Sequence, residues 1–323
     1  MPKTPFSRKR SDDRFFRLGT GFFALLVVVL VAGIAYELYR NSRLSIAKFG
    51  FDFWRTTVWD PVAGTFGALP FIWGTLYSAL AAMVLSTPVA LGIAIFLSEL
   101  SPRPLRAPLT FLTELLAAIP SIVYGLWGIF VLVPIVRRLE VHTPGWMRKI
   151  PLFSGPPLGV GMLAASLILA VMVIPFTSSV AREVLKAVPA TQREAVYALG
   201  ATRWEAIQAA IRYGRTGIMG AIMLGFGRAI GETMAVTMVI GNNPRISASL
   251  YAAQHTMAAV IANEFTEADT DIYLNALVEI GLVLFVITGV INALSRLLIW
   301  SVTREAKVRQ TKPVPPAVVE PAA

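Results

Sequence analysis

The sequence reads as an all-α, polytopic membrane protein with six transmembrane helices. Three observations carry this reading. Apolar residues make up 55% of the 323 positions and charged residues only 15%, whereas a soluble domain carries roughly a quarter charged residues. The apolar residues lie in long, even runs, so a bilayer is their natural solvent. The basic residues behind the net charge of +10 flank those runs. They do not gather into the single stripe that a nucleic-acid surface would need.

A helix needs about 20 apolar residues to cross the hydrocarbon core. Six runs meet that length: 18–39, 71–97, 109–136, 158–181, 216–241 and 275–302. Helices are the expected form, because without water every backbone polar group must be paired within its own segment. The runs are too long and too uniformly apolar for barrel strands. The first run outlasts a signal-peptide core, and no small-residue cleavage site follows it, so a retained anchor is expected. With both termini placed inside, the inner segments hold eighteen Lys and Arg and the outer segments eight. That bias predicts that both termini are cytosolic. The expected organisation is a basic cytosolic tail (1–17), a first transmembrane helix (18–40) and a five-helix core (71–302). The core contains a cytosolic loop at 182–215, and a Pro- and Ala-rich tail (303–323) is expected to be disordered.

The chain has no cysteine, which excludes disulfides and thiolate metal sites. His142 and His255 read as polar surface residues. Within the third run, Pro120 removes a backbone donor and offers Ser121 and Tyr124 to a translocation path. Within the fifth run, Arg228 stands twelve residues from the start, near mid-bilayer. A central Arg costs roughly 2.5–3.5 kcal/mol, so such a residue marks a partner or a function. Glu232 follows one turn later, on the same face of a continuous helix, and is expected to pair with it. Arg228 on its helix is thus a candidate anion site, with Glu232 and Thr233 beside it. Glu114 reads as a bundle-facing structural residue, Glu279 as a group near the outer entry, and Arg296 as a side chain that snorkels to the headgroups. Leu250, Met257, Ile261 and Phe265 recur at near-helical spacing and predict an amphipathic helix lying at the outer surface.

The inner loop is rich in helix formers. Glu194, Ala195, Val196, Tyr197 and Leu199 predict a short helix with one apolar side. Gly200 can end it in a left-handed conformation, and Thr202 is a suitable cap for a second helix starting near Arg203. The Glu194-Ala195-Val196 stretch followed after three residues by Gly200 resembles the Glu-Ala-Ala loop of type I ABC importer membrane subunits. Ala210, Arg212 and Tyr213 depart from the Ile and Leu-Pro that close that pattern. The stretch Gly227-Arg-Ala-Ile-Gly-Glu-Thr-Met-Ala-Val236 is similar to the signature of PstC-type permeases of bacterial phosphate importers. So are 116–125, 261–267 and 279–288. The resemblance spans about 71–300. It implies an importer with a second, PstA-like permease subunit, two ATPase subunits and an external phosphate-binding protein. It implies phosphate passage at Arg228 and Glu232, with Ser121 and Thr233 as neighbours. It further implies ATPase contact through Glu194, Ala195, Gly200, Thr202 and Arg203. No nucleotide-binding loop is present, so this chain is expected to bind no cofactor of its own, ATP and Mg being used by the partner ATPase. The chain is thus expected to be a transport subunit and not an enzyme by itself. A sulfate or molybdate permease and an ion-coupled secondary anion transporter are the rival readings.

Overall fold

The computed structural model describes residues 9–310; the segments 1–8 and 311–323 of the two expected tails lie outside them. Among the described residues the chain is mostly helical: α1 (Lys9–Asn41), α2 (Arg43–Phe49), α3 (Leu69–Ile95), α4 (Arg103–Ala118), α5 (Ser121–Trp127), α6 (Val133–Val141), α7 (Gly145–Arg148), α8 (Met162–Lys186), α9 (Ala190–Ala198), α10 (Arg203–Ile230), α11 (Met234–Val239), α12 (Met257–Glu264) and α13 (Asp271–Gln310). A π-helical turn at Phe96–Leu100 extends α3, and another at Gly128–Leu132 joins α5 to α6. Among the described residues, the sole β pairing is one bridge between Asp60 and Thr65. Helix α13 runs on to Gln310, so residues 303–310 of the tail expected to be disordered are helical.

Among the described residues, five stretches are long and apolar enough to cross a bilayer: Phe16–Asn41, Leu69–Leu100, Ser121–Val141, Met162–Lys186 and Asp271–Ser301. They correspond to five of the six expected runs, but the third run is shortened and the fifth is missing from the set. The run 109–136 is not one helix. Pro120 cannot donate, and it holds Ile119 extended (φ −65°, ψ 129°), so α4 stops at Ala118 and α5 begins afresh at Ser121. The run 216–241 is not one helix either. Helix α10 starts in the loop at Arg203 and ends at Ile230, with Gly231 as its cap. Thr233 takes φ −111°, ψ −67°, and the chain resumes helix only at Met234.

Helix α8 is the axis of the bundle, packed by α3, α10 and α4. Small residues let the backbones approach: Ala79, Ala82, Ala90 and Ala94 of α3, and Ala164, Ala165 and Ala181 of α8, are fully buried. Close packing of this kind replaces the hydrophobic drive that lipid removes. Helix α1 lies against α13 and leaves its apolar side chains outward, as a lipid-facing anchor does.

The end of the bundle formed by 42–68 and 241–270 is densely built. Trp59 meets Phe66 and Phe71 edge-on, with ring centroids 4.8 and 4.9 Å apart. Glu264 accepts hydrogen bonds from Trp59 Nε1 (2.8 Å) and the Tyr273 hydroxyl (2.6 Å). The amphipathic surface helix expected here is instead α12, sunk into the bundle with Met257–Val260 buried. Its Thr256 cap bonds the Ala259 amide, and Thr75 of α3 accepts from the Met257 amide at 2.9 Å, which satisfies the helix start without water. His255, expected at the surface, is 2% exposed and stands edge-on to Phe71. Burial pushes its pKa down to about 4, so it is neutral. Gly74 lies directly under the His255 carbonyl, and a methyl group there has no room.

Candidate functional site

The two interrupted helices meet. Helix α11, which follows the Gly231–Thr233 break, packs on α5, which follows the Ile119-Pro120 break. Gly125 makes the approach possible, since a side chain there would collide with Met238 and Ala235. The Tyr124 hydroxyl donates to the Leu116 carbonyl at 2.8 Å, bridging the Pro120 break and satisfying one of the carbonyls the proline strands. Ser121 is half-buried at the first position of α5.

Arg228 occupies the last turn of α10, at this junction. It is exposed in the single chain. Its guanidinium lies 5.9 Å from the Phe176 ring centroid and within electrostatic reach of Tyr124. The expected Arg228–Glu232 pair is absent among the described residues. The reason is local: the helix ends at Ile230, so the one-turn relation is broken. Glu232 turns forward instead, and its Oε1 accepts the Ala235 amide at 3.4 Å. Thr233 donates weakly to the Gly231 carbonyl (3.4 Å), while its own carbonyl accepts the Thr237 hydroxyl (2.7 Å). Among the described residues Arg228 is thus left as a cation without a carboxylate partner, at a double helix break. Backbone irregularity at membrane depth belongs where it lines a cavity or is buried in protein. Gly220 and Leu224 continue the Arg228 face, and a groove of about 710 Å³ opens from them to Asn292 and Arg296 of α13. Arg296, expected to reach for headgroups, lines that groove.

At the other end of α10 the loop forms the helix–glycine–helix corner that its residues predict. Helix α9 ends at Ala198, and Gly200 adopts φ +80°, a conformation that costs other residues roughly 1–2 kcal/mol. Thr202 caps α10 in a capping box with Glu205: its hydroxyl accepts the Glu205 amide, and Glu205 accepts the Thr202 amide at 2.7 Å. Those bonds hold the Glu205 carboxyl below its ordinary pKa. Helix α9 buries none of its residues. Glu194 and Ala195 are exposed, and Tyr197, Leu199 and Trp204 are 48%, 89% and 58% exposed. Large apolar side chains thus cluster on a corner outside the bundle. Arg203 differs from its neighbours: it turns back to the bundle and donates to the Glu99 carbonyl at 2.8 Å.

Two charged groups at this end had no signal in the sequence. Arg193 pairs with Glu99 at 2.7 Å across 94 positions. Arg182, 4% exposed, pairs with Glu183 at 2.8 Å and with Glu114 of α4 at 3.1 Å. Glu114, expected to face the bundle, is instead exposed and pairs with Arg182 from outside. Glu279 is buried. Among the described residues no group of three or more His, Cys, Asp or Glu could hold a metal ion.

Residues 86–304 match the family of binding-protein-dependent transport system inner membrane components. The chain is 46% identical over 290 residues to the phosphate transport system permease protein PstC of Mesorhizobium japonicum, covering 88% of this chain and 89% of that one. It is 44% identical to the protein of the same name from Pasteurella multocida, over 91% and 93% of the two chains. It is 36% identical to the probable PstC of Methanocaldococcus jannaschii, over 88% and 92%. The fold resembles an inward-facing structure of the MetNI methionine ABC transporter, with a TM-score of 0.55 at 16% identity over 72% of this chain and 94% of that one. The chain therefore belongs to the binding-protein-dependent transport system inner membrane components and, among these, to the PstC-type permeases.

Proposed function

We propose that this chain is one of two permease subunits of an ATP-driven importer and carries inorganic phosphate across the cytoplasmic membrane at the junction of its two broken helices. The observation that carries this reading is Arg228, an exposed cation with no carboxylate partner among the described residues, where α10 ends. The relatives' shared name, phosphate transport permease, supports the choice of anion. The exposure of Arg228 in the single chain fits a path closed on its other side by a second, PstA-like permease subunit. Ser121 and Thr233 are the nearby hydroxyls in this reading. Glu232 adds selectivity. Phosphate near neutral pH carries a proton and can donate a hydrogen bond, whereas sulfate cannot. A carboxylate accepts from the first and repels the second.

The corner at Glu194, Ala195 and Gly200 docks on an ATPase subunit, one of two, with Tyr197, Leu199 and Trp204 supplying apolar contact. Thr202 and Arg203 hold the corner in shape rather than touch the partner. ATP and Mg are used there, and a phosphate-binding protein delivers substrate at the opposite end, with both termini of this chain cytosolic. Phosphate uptake into proteoliposomes tests the site. An Arg228→Gln subunit that still assembles should lose at least about tenfold in uptake, and normal uptake would overturn the assignment. Glu232→Gln should relax discrimination against sulfate; unchanged discrimination would remove its selective role.

A further inference from the structure

Helix α9 has no fully buried residue, yet its movement must reach the bundle if a partner drives it. Beside its packing on α10, it is tied to the bundle by the polar bonds of one side chain. Arg193 Nη2 donates to Glu99 Oε1 at 2.7 Å and to the Leu185 carbonyl at 2.8 Å, while Nη1 donates to the Val188 carbonyl at 2.7 Å. The carbonyls belong to the last turn and exit of α8, where backbone acceptors lack helical partners and a cation is favoured. Arg193 therefore closes the end of α8 and grips α3 in the same fork, a geometry that a lysine cannot reproduce. The pair is mostly shielded, with side-chain exposures of 23% and 14%. Arg203, at the start of α10, adds a bond to the Glu99 carbonyl. Four helices thus meet on Glu99: α3 carries it, α8 and α9 reach it through Arg193, and α10 through Arg203.

Glu99 itself lies in the π-helical turn Phe96–Leu100, closed by the Ser101 amide on the Phe96 carbonyl at 2.7 Å. Such turns are local, deformable interruptions of a helix, frequent at functional positions. Helix α4 starts four residues after Glu99 and leads to Ala118, the Pro120 break and the Tyr124–Leu116 bridge. A continuous chain of bonded groups therefore runs from the exposed corner to the second broken helix, parallel to the direct route along α10.

We propose that Glu99 and Arg193 are positioning residues that couple the α9 corner to the α3–α4 turn, so that docking-surface motion moves both broken helices together. This rests on the reading of α9 as the contact with a partner ATPase. With the linkage cut, α10 alone would be displaced, and the junction at Pro120 would lag behind.

The test uses the reconstituted importer with its partner subunits. Glu99→Gln and Arg193→Gln should leave the ATPase subunits bound and ATP hydrolysis within about twofold, while phosphate taken up per ATP falls at least about tenfold. The double variant should be no worse than either single one, because both remove one interaction. Arg193→Lys, the milder change, should fall between these and the unchanged chain. The chain has no cysteine, so Glu99→Cys with Arg193→Cys can be bridged by a short bifunctional thiol reagent; bridging should recover uptake per ATP, and neither single cysteine variant should respond. A merely structural role predicts no such recovery. Uptake per ATP equal to the unchanged chain in Arg193→Lys and Glu99→Gln, with ATPase subunits bound, overturns the linkage alone. Failure of the unchanged chain to retain ATPase subunits overturns the docking reading on which it rests.

Discussion

The two ends of this bundle are built on opposite principles. The end holding Trp59, Phe66, His255 and α12 is a packed solid: aromatic edges at under 5 Å, a helix sunk among others, and backbone against backbone at Gly74 and His255. The end holding α9 is an open corner with no buried residue, joined to the bundle by α10 and by polar bonds through Arg193 and Arg203. Packed contacts fail when a few tenths of an ångström are added. A corner held by directional bonds can swing as a unit and stay intact. The difference teaches where movement can enter this molecule and where it cannot.

Four substitutions or conditions can break or sharpen that contrast. The largest effect is expected at the packed end. Gly74→Ala forces a methyl into the His255 carbonyl and should cost about 1–3 kcal/mol or more through overpacking, read as a lower melting temperature of the purified subunit. An unchanged melt would show that this end can give. At the open end, Gly200→Val meets no neighbour but must adopt φ +80°, at a cost of roughly 1–2 kcal/mol. It should spare insertion and the bundle melt yet lower phosphate uptake per ATP. A melt that drops as far as that of Gly74→Ala would erase the contrast. Thr202→Ala removes one half of the capping box and should cost about 1 kcal/mol, visible as faster amide exchange in the first turn of α10 and not elsewhere. The last effect concerns pH and grows with the depth of acidification. His255 titrates near 6.5 unfolded but only at about 4 in place, so between those values the unfolded chain binds more protons. Stability should therefore be constant above about pH 7 and fall as pH drops from 6.5 towards 4, and His255→Phe should flatten that slope. An unaltered slope would assign the acid sensitivity to other groups.

The comparison also marks how much could be read in advance. The corner was legible residue by residue because its determinants are local: a glycine free to take positive φ, a threonine with a glutamate three positions on, and helix formers between. Arg228 was legible because a cation deep in an apolar run is conspicuous at any distance from its partners. The helix breaks were half legible. Pro120 announced itself, but Gly231–Thr233 looked continuous, since glycine and threonine also occur inside membrane helices, and the expected Arg228–Glu232 pair went with that continuity. His255 and α12 were misplaced for a related reason. A short, mildly apolar segment has the same pattern on a surface as inside a bundle, and only the cavity between α3, α11 and α13 decides.

By itself, then, the sequence determined the solvent, the class and the corner. Hydropathy runs, charge flanks and local dihedral preferences each act over a turn or two of helix and need no knowledge of the rest. The tertiary structure alone decided that the two broken helices meet and that Glu99 finds Arg193 across 94 positions. These are pairings between distant segments, and their energies depend on distances that only packing sets.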